Sequence, residues 1–234
     1  MRSSYSWNSW RNNRSDHYSY SDDGRILGEL SDGKYNLILG AVLFWGFFVN
    51  AIICLFFADA VLALPPQILL AGYVVLAIIG VLMSVFSANP IVSFIGYNLV
   101  VLPLGAVLTV LVTSFDPDIV LLTMLVTSIV VLGLTILSAL FPRLFLSLGP
   151  VLGITLFLTL IANLICALFG LAPAWLDFVV TLIFCGYIGF DYAHAQSKMK
   201  TIDNAIDSAC ELYVDIVNLF IRILSIMSRS SKRR

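Results

Sequence analysis

The sequence predicts an all-α membrane protein: a seven-helix bundle of six spans plus a central or re-entrant C-terminal helix. Three observations predict it. The 234-residue chain is 60% hydrophobic and 12% charged, with a mean hydropathy of +0.98, whereas soluble domains carry about 25% charged residues. No Lys or Arg occurs between Lys34 and Arg143, so that stretch can cross a bilayer repeatedly without desolvating a cation. Six segments reach the roughly 20 apolar residues that a span needs, and Pro, Gly, Asn and Asp separate them.

Residues 1–34 read as a polar tail with five basic and five acidic side chains. Its scarcity of aliphatics predicts disorder, with Tyr5, Trp7, Trp10, Tyr18 and Tyr20 suited to the membrane interface as an alternative. The membrane domain takes residues 35–228, with spans at 35–57, 67–86, 91–114, 119–141, 145–169 and 173–190. The first span exceeds the roughly 7–15 residues of a cleavable signal core, despite the A-x-A pattern of Ala58-Asp59-Ala60. Short connections make successive helices antiparallel neighbours. Gly96, Gly105, Gly133, Gly149 and Gly153 permit close helix approach, and Pro103 predicts a kink in the third span. Residues 229–234 form a basic tail.

A polar loop is expected over 192–204, with Thr201 capping a last helix over 202–227. That helix is apolar yet carries Asp207, Glu211, Asp215, Asn218 and Arg222. Steps of three and four residues align them on one face. A helix with one polar stripe and apolar flanks belongs in the middle of a bundle, the stripe lining a wet interior. An interfacial amphipathic helix is the rival reading, but its polar face would be wider and richer in Lys and Arg.

Two acids stand where hydrocarbon should exclude them. Asp191 ends the sixth apolar run and Asp215 lies in the middle of the last. A carboxylate at the centre of a span costs about 2.5–3.5 kcal/mol on insertion scales. If the two helices are antiparallel neighbours, the carboxyls meet at one depth. Two such groups cannot both ionise cheaply and are expected to share a proton. Deprotonation would open a repulsive pair or create an oxygen-rich site for a hard cation such as calcium, which makes Asp191 and Asp215 the candidate metal ligands. Glu211 and Asn218 would extend the polar path. The structural alternative pairs the acids with Arg222 or His194 and leaves Lys198 and Lys200 solvated. Asn50, Asn98, Asn163 and Asp177 are candidates for hydrogen bonds between helices, although Asp177, near the start of its span, could instead reach the interface.

Other chemistry is poorly supported. Cys54, Cys166, Cys185 and Cys210 lie singly in apolar runs, without the spacing of a zinc or redox site. His17 and His194 are isolated. No nucleophile–base constellation, phosphate-binding glycine loop or H-E-x-x-H occurs, so no enzyme activity and no cofactor are expected. A net charge of −1 gives no reason for a nucleic-acid partner. Arg143, Lys198 and Lys200 fall on the side of the N-terminal tail, which predicts a cytosolic N-terminus. The basic C-terminal tail would also prefer the cytosol, and that favours re-entry over a seventh full crossing.

The C-terminal block resembles the transmembrane Bax inhibitor motif (Bax inhibitor-1) family, in a bacterial-type form. The resemblance lies in Gly189-Phe-Asp-Tyr-Ala-His-Ala-Gln196, Thr201-Ile-Asp-Asn-Ala-Ile-Asp-Ser-Ala209 and Glu211-Leu-Tyr-Val-Asp-Ile-Val-Asn-Leu-Phe220, and in Asn89-Pro-Ile-Val-Ser-Phe-Ile-Gly-Tyr-Asn98. It covers about residues 35–228. It implies a seven-helix bundle with the last helix central. It also implies a pH-sensitive calcium leak, in a bacterial plasma membrane, with Asp191 and Asp215 as proton sensor. Some members are associated with suppression of cell death. An arginine that latches one aspartate in such proteins has no counterpart in Val85-Phe-Ser-Ala-Asn-Pro90. The leading expectation is a calcium leak gated by protonation, whose partners are the bilayer and calcium or protons. A non-conducting regulator of another membrane protein is second, and a proton-coupled transporter is third, without the internal repeat that transporters often show.

Overall fold

The computed structural model describes residues 29–171 and 173–231. Most of the expected N-terminal tail (1–28) and the end of the basic tail (232–234) lie outside the described residues. The described chain forms eight helices: α1 (Asp32–Phe56), α2 (Ala58–Leu62), α3 (Pro66–Phe86), α4 (Pro90–Val112), α5 (Pro117–Leu140), α6 (Pro142–Leu168), α7 (Ala174–Ser197) and α8 (Ile202–Ser231). Six of them, α1 and α3–α7, are long and apolar enough to cross a membrane.

The punctuation explains where the helices start. Pro occupies the first position of α3, α4, α5 and α6, where its fixed φ suits a helix and its missing N–H is no loss. Asn89 and Asp116 cap α4 and α5 by accepting from the backbone N–H of Ile91 and Asp118. Beyond α6 the chain turns through Gly170 at φ +65°, and Leu171 N–H donates to the Cys166 carbonyl at 2.8 Å. This is a left-handed helix stop that favours glycine. α4 continues through Pro103 as one helix.

One expectation about the end of α7 is corrected. The polar stretch after Phe190 is no loop: α7 runs on to Ser197, because Asp191-Tyr-Ala-His-Ala-Gln contains no breaker. The connection is only Lys198 to Thr201, and Thr201 does cap α8, its hydroxyl accepting from Asn204 N–H. α8 is central, one of the two placements expected for it. It is one helix of 30 residues, about 45 Å long. At its start, Lys200 lies 3.7 Å from Asp32 of α1 and Asp203 accepts from Ser93 of α4. Near its end, Arg229 pairs with Asp177 at the start of α7, and Met227 meets Thr123 near the start of α5. It therefore traverses the whole bundle.

α8 is the least apolar long helix and the axis of the fold. α1, α4, α5 and α7 pack around it. Its apolar faces bury Leu212, Tyr213, Val217, Leu219 and Ile223 against Tyr35, Tyr97, Val101, Phe184 and Ile188. Fully burying one such side chain contributes about 1.5–3 kcal/mol. Tyr35 Oη reaches Ser208 and Tyr213 Oη takes a 2.6 Å bond from Asn50, so the aromatic rings bring their polar ends to partners. α3 packs closely on α4, where a Cβ at Gly80 would strike the Gly96 carbonyl. Gly133, by contrast, faces open space.

Candidate functional site

The site is the seam between α7 and α8. On α7, Asp177, Phe184 and Asp191 recur every seventh residue, which puts them on one face, and Lys198 follows as the first residue past the helix. On α8 the polar stripe through Asp207, Glu211, Asp215, Asn218 and Arg222 continues with Ser225 and Arg229. Running antiparallel, the two faces meet in three charged layers.

The middle layer joins Asp191 and Asp215. Their carboxyls lie within hydrogen-bonding reach of each other, and both residues are 8% exposed. Asp215 Oδ2 is buried without a hydrogen-bond partner. As two carboxylates, the layer would press like charges together in a poorly solvated place. One proton between them turns the contact into an O–H···O bond. Tyr187 of α7, Glu211 one turn along α8, and Lys198 are further ionisable groups whose charges act on the pair. A serine of α5, Ser138, donates to the Gly189 carbonyl close by.

The outer layers pair opposite charges. At one end Lys198 Nζ bonds Glu211 at 3.0 Å, with Glu211 41% exposed. At the other, buried Asp177 accepts from Arg222 at 2.9 Å, Arg229 at 3.0 Å and Ser225 at 3.1 Å. Asp177 thus does not reach out to water; it is the anchor of this end. Of the two roles expected for Asp177, the bond between helices is the one it has; its partners Arg222, Ser225 and Arg229 were not foreseen. The available signal was the stripe itself, whose rhythm continues to Arg229 and whose arginines need a carboxylate.

The other expected site residues are placed as follows. Asp207 accepts from Ser84 of α3 at 2.7 Å. Asn218 turns its amide back on the Val214 carbonyl. Arg222 goes to Asp177, not to Asp215. His194 stacks on Phe190, ring centroids 5.5 Å apart, instead of pairing with Asp191. Lys200 lies 4.7 Å over the Tyr35 ring and 2.9 Å from Gln196, so neither Lys198 nor Lys200 is simply solvated. Asn50 and Asn98 bond across helices to Tyr213 and Trp45, whereas Asn163 bonds within α6 to the Thr159 carbonyl. Among the described residues no three His, Cys, Asp or Glu side chains gather as a metal cage would. A calcium ion takes about 6–8 oxygens, so at Asp191 and Asp215 water would have to supply several.

The family model described as "Inhibitor of apoptosis-promoting Bax1" matches residues 33–232. Among curated proteins, "Protein LIFEGUARD 3" of Arabidopsis thaliana is 32% identical over 142 residues, 58% of this chain and 57% of that protein. "BI1-like protein" of the same plant is 36% identical over 83 residues, 34% of this chain and 32% of that protein. The matches thus span well under two thirds of these relatives. The family match takes in every membrane-length helix, the Asp191–Asp215 layer and both ends of the seam, and on it the chain belongs to the Bax inhibitor-1 family.

Proposed function

We propose that this chain is a pH-sensitive calcium leak in which Asp191 and Asp215 are the proton sensor. The observation that carries the reading is the like-charged layer buried at mid-seam between two oppositely charged ones. A shared proton holds α7 and α8 together there. Removing it leaves two carboxylates in mutual repulsion, which loosens the seam and exposes oxygen ligands to a hard cation. Ionisable groups held inside a membrane protein are functional by default. Calcium is the permeant ion and no resident cofactor is required. The N-terminal end faces the cytosol, since Lys34, Arg143, Lys198 and Lys200 gather there. In that orientation Arg229 emerges on the opposite side, beside Asp177.

A second reading is supported by the pairing of the outer stripe. With Asp207, Glu211 and Arg222 all engaged, the seam is stapled rather than open, as suits a non-conducting regulator that acts through another membrane protein. The family description, which names inhibition of a cell-death promoter, fits that reading too.

Calcium entry into dye-loaded liposomes separates the two. Flux would be followed from about pH 5 to about pH 8, where a proton shared by two carboxyls is exchanged. The leak reading expects flux that rises with pH in the wild type and loses that dependence in Asp191→Asn/Asp215→Asn. Folded protein with no flux above empty liposomes at any pH would leave the regulator.

A further inference from the structure

We infer that the bundle is two units that rock on each other, α1–α4 against α5–α8, with the Asn50–Tyr213 bond as fulcrum. The helix packing draws the division. In the first unit α4 carries both α1 and α3; in the second α7 carries α5, α6 and α8. The units meet along α8, which α1 and α4 touch from one side and α5 and α7 from the other. The only stretch of chain that joins them is the short turn at 113–116.

Each unit is keyed internally. In the first, a Cβ at Gly80 would strike the Gly96 carbonyl, and Tyr97 Oη donates to the Val42 carbonyl at 2.9 Å. In the second, Phe145 covers Gly189, Phe190 covers Gly149 and Leu152 covers Gly186, each too close for an added Cβ. Ser138 adds its bond to the Gly189 carbonyl. Interiors packed this closely move as one piece.

The ties between the units are one-sided. Among the described residues, every hydrogen bond or ion pair that joins them uses residues 196–213 of the second unit. Asp203 accepts from Ser93 at 2.6 Å, Asp207 from Ser84 at 2.7 Å, and Ser208 from Tyr35 at 3.3 Å. Asn50 with Tyr213 is the last. Over 214–231 the polar bonds of α8 to other helices go to α5 and α7. There the units part around the crevice of about 570 Å³ beside α5, whose walls come from α1 and α4 on one side and α5 on the other, over Ile216, Val217 and Phe220 of α8. In hydrocarbon a broken hydrogen bond finds no water to replace it, so the tied half resists parting. Apolar walls lose only packing when they separate, because lipid tails are as apolar as they are. Asn50 stands where the two regimes meet. Its side chain fills the space beside Gly105 of α4 while its amide holds Tyr213, so it pins α1, α4 and α8 at one level.

Spin-label distances in the full chain in lipid nanodiscs test this, and they depend neither on conduction nor on the acid pair. The four cysteines are first replaced by alanine, in a chain shown to unfold like the wild type. Exposed Leu55 of α1 and Leu125 of α5 report across the crevice. Leu37 of α1 and Leu140 of α5 report across the tied half. Leu55 with Leu70, and Leu125 with Leu164, report within each unit. The Leu55–Leu125 distribution should be wider than both within-unit pairs by more than about 2 Å, the scale of a rearrangement between bodies. Leu37–Leu140 should be as narrow as they are. Tyr213→Phe removes the last tie and should widen Leu55–Leu125 further without moving Leu37–Leu140. Ala51→Phe fills the crevice wall and should narrow Leu55–Leu125. A Leu55–Leu125 distribution as narrow as the within-unit pairs would overturn the proposal, and so would within-unit pairs as wide as the crossing one. Equal widening of Leu37–Leu140, or no response to Tyr213→Phe, would overturn the fulcrum.

Discussion

The two ends of the α7–α8 seam pair opposite charges, while its middle pairs like ones. Asp177 draws in Arg222 and Arg229 at one end and Lys198 meets Glu211 at the other. Between them Asp191 faces Asp215. The difference shows how a bundle can hold a layer that would by itself drive two helices apart. The ends fix the register, and the register sets the two acids against each other. Arg222 lies two turns from Asp215 on the same face and could have neutralised it, but Asp177 holds it away. The like-charged layer is therefore a consequence of where the arginines are anchored.

The largest effect should come from removing that anchor. Asp177→Ala strands two guanidinium groups in a partly buried place. Losing one partner of a buried ion pair costs about 3–5 kcal/mol, and because both arginines are part-exposed the lower figure of about 3 kcal/mol is expected. Thermal unfolding of the detergent-solubilised protein would read it. A loss below about 1 kcal/mol, the scale of an exposed pair, would show that this end does not hold the seam.

Breaking the middle layer should do less to stability and more to pH response. Asp215→Asn keeps the shape and lets an amide N–H donate to Asp191, so the contact no longer needs a shared proton. Stability is expected to change by no more than about 1 kcal/mol, the net worth of one hydrogen bond. Any pH dependence of flux or of α7–α8 spacing should flatten. A spin-label distance between the two helices that still shifts with pH in Asp215→Asn would move the sensor elsewhere.

How far these layers could be read in advance depended on what each residue's neighbours said locally. The six spans are long apolar runs bounded by Pro or Gly, and hydropathy places them to within a few residues. The stripe of α8 is likewise local, since a period of three and four shows it without any partner. Helix α7 was read short, because apolarity stops at Phe190 while helix-forming capacity does not; Ala193, Ala195 and Gln196 carry the helix on against α8. The short α2 has too few residues to show a period. Asp177 was legible as a candidate for a bond between helices, but its partner was not, because Arg222 is 45 residues away and no local pattern joins the two. The crevice beside α5 was not legible at all: voids arise from how helices diverge, which no single run of sequence records.

The smallest effect should come from the exposed end. Lys198 and Glu211 are joined by a 3.0 Å bond, but Glu211 is 41% exposed, and water screens and replaces such pairs at a cost of about 0.2–1 kcal/mol. Glu211→Gln keeps a hydrogen-bond acceptor for Lys198 and loses only the charge, so a change near the bottom of that range is expected in thermal unfolding, fading further at high salt. The same substitution also removes a negative charge one turn from Asp215. If the outer pair merely sets register, flux should keep its pH dependence and only its midpoint should move. If Glu211 shared the proton with the two aspartates, the pH response would lose steepness as well, and the sensor would then be three carboxyls and not two.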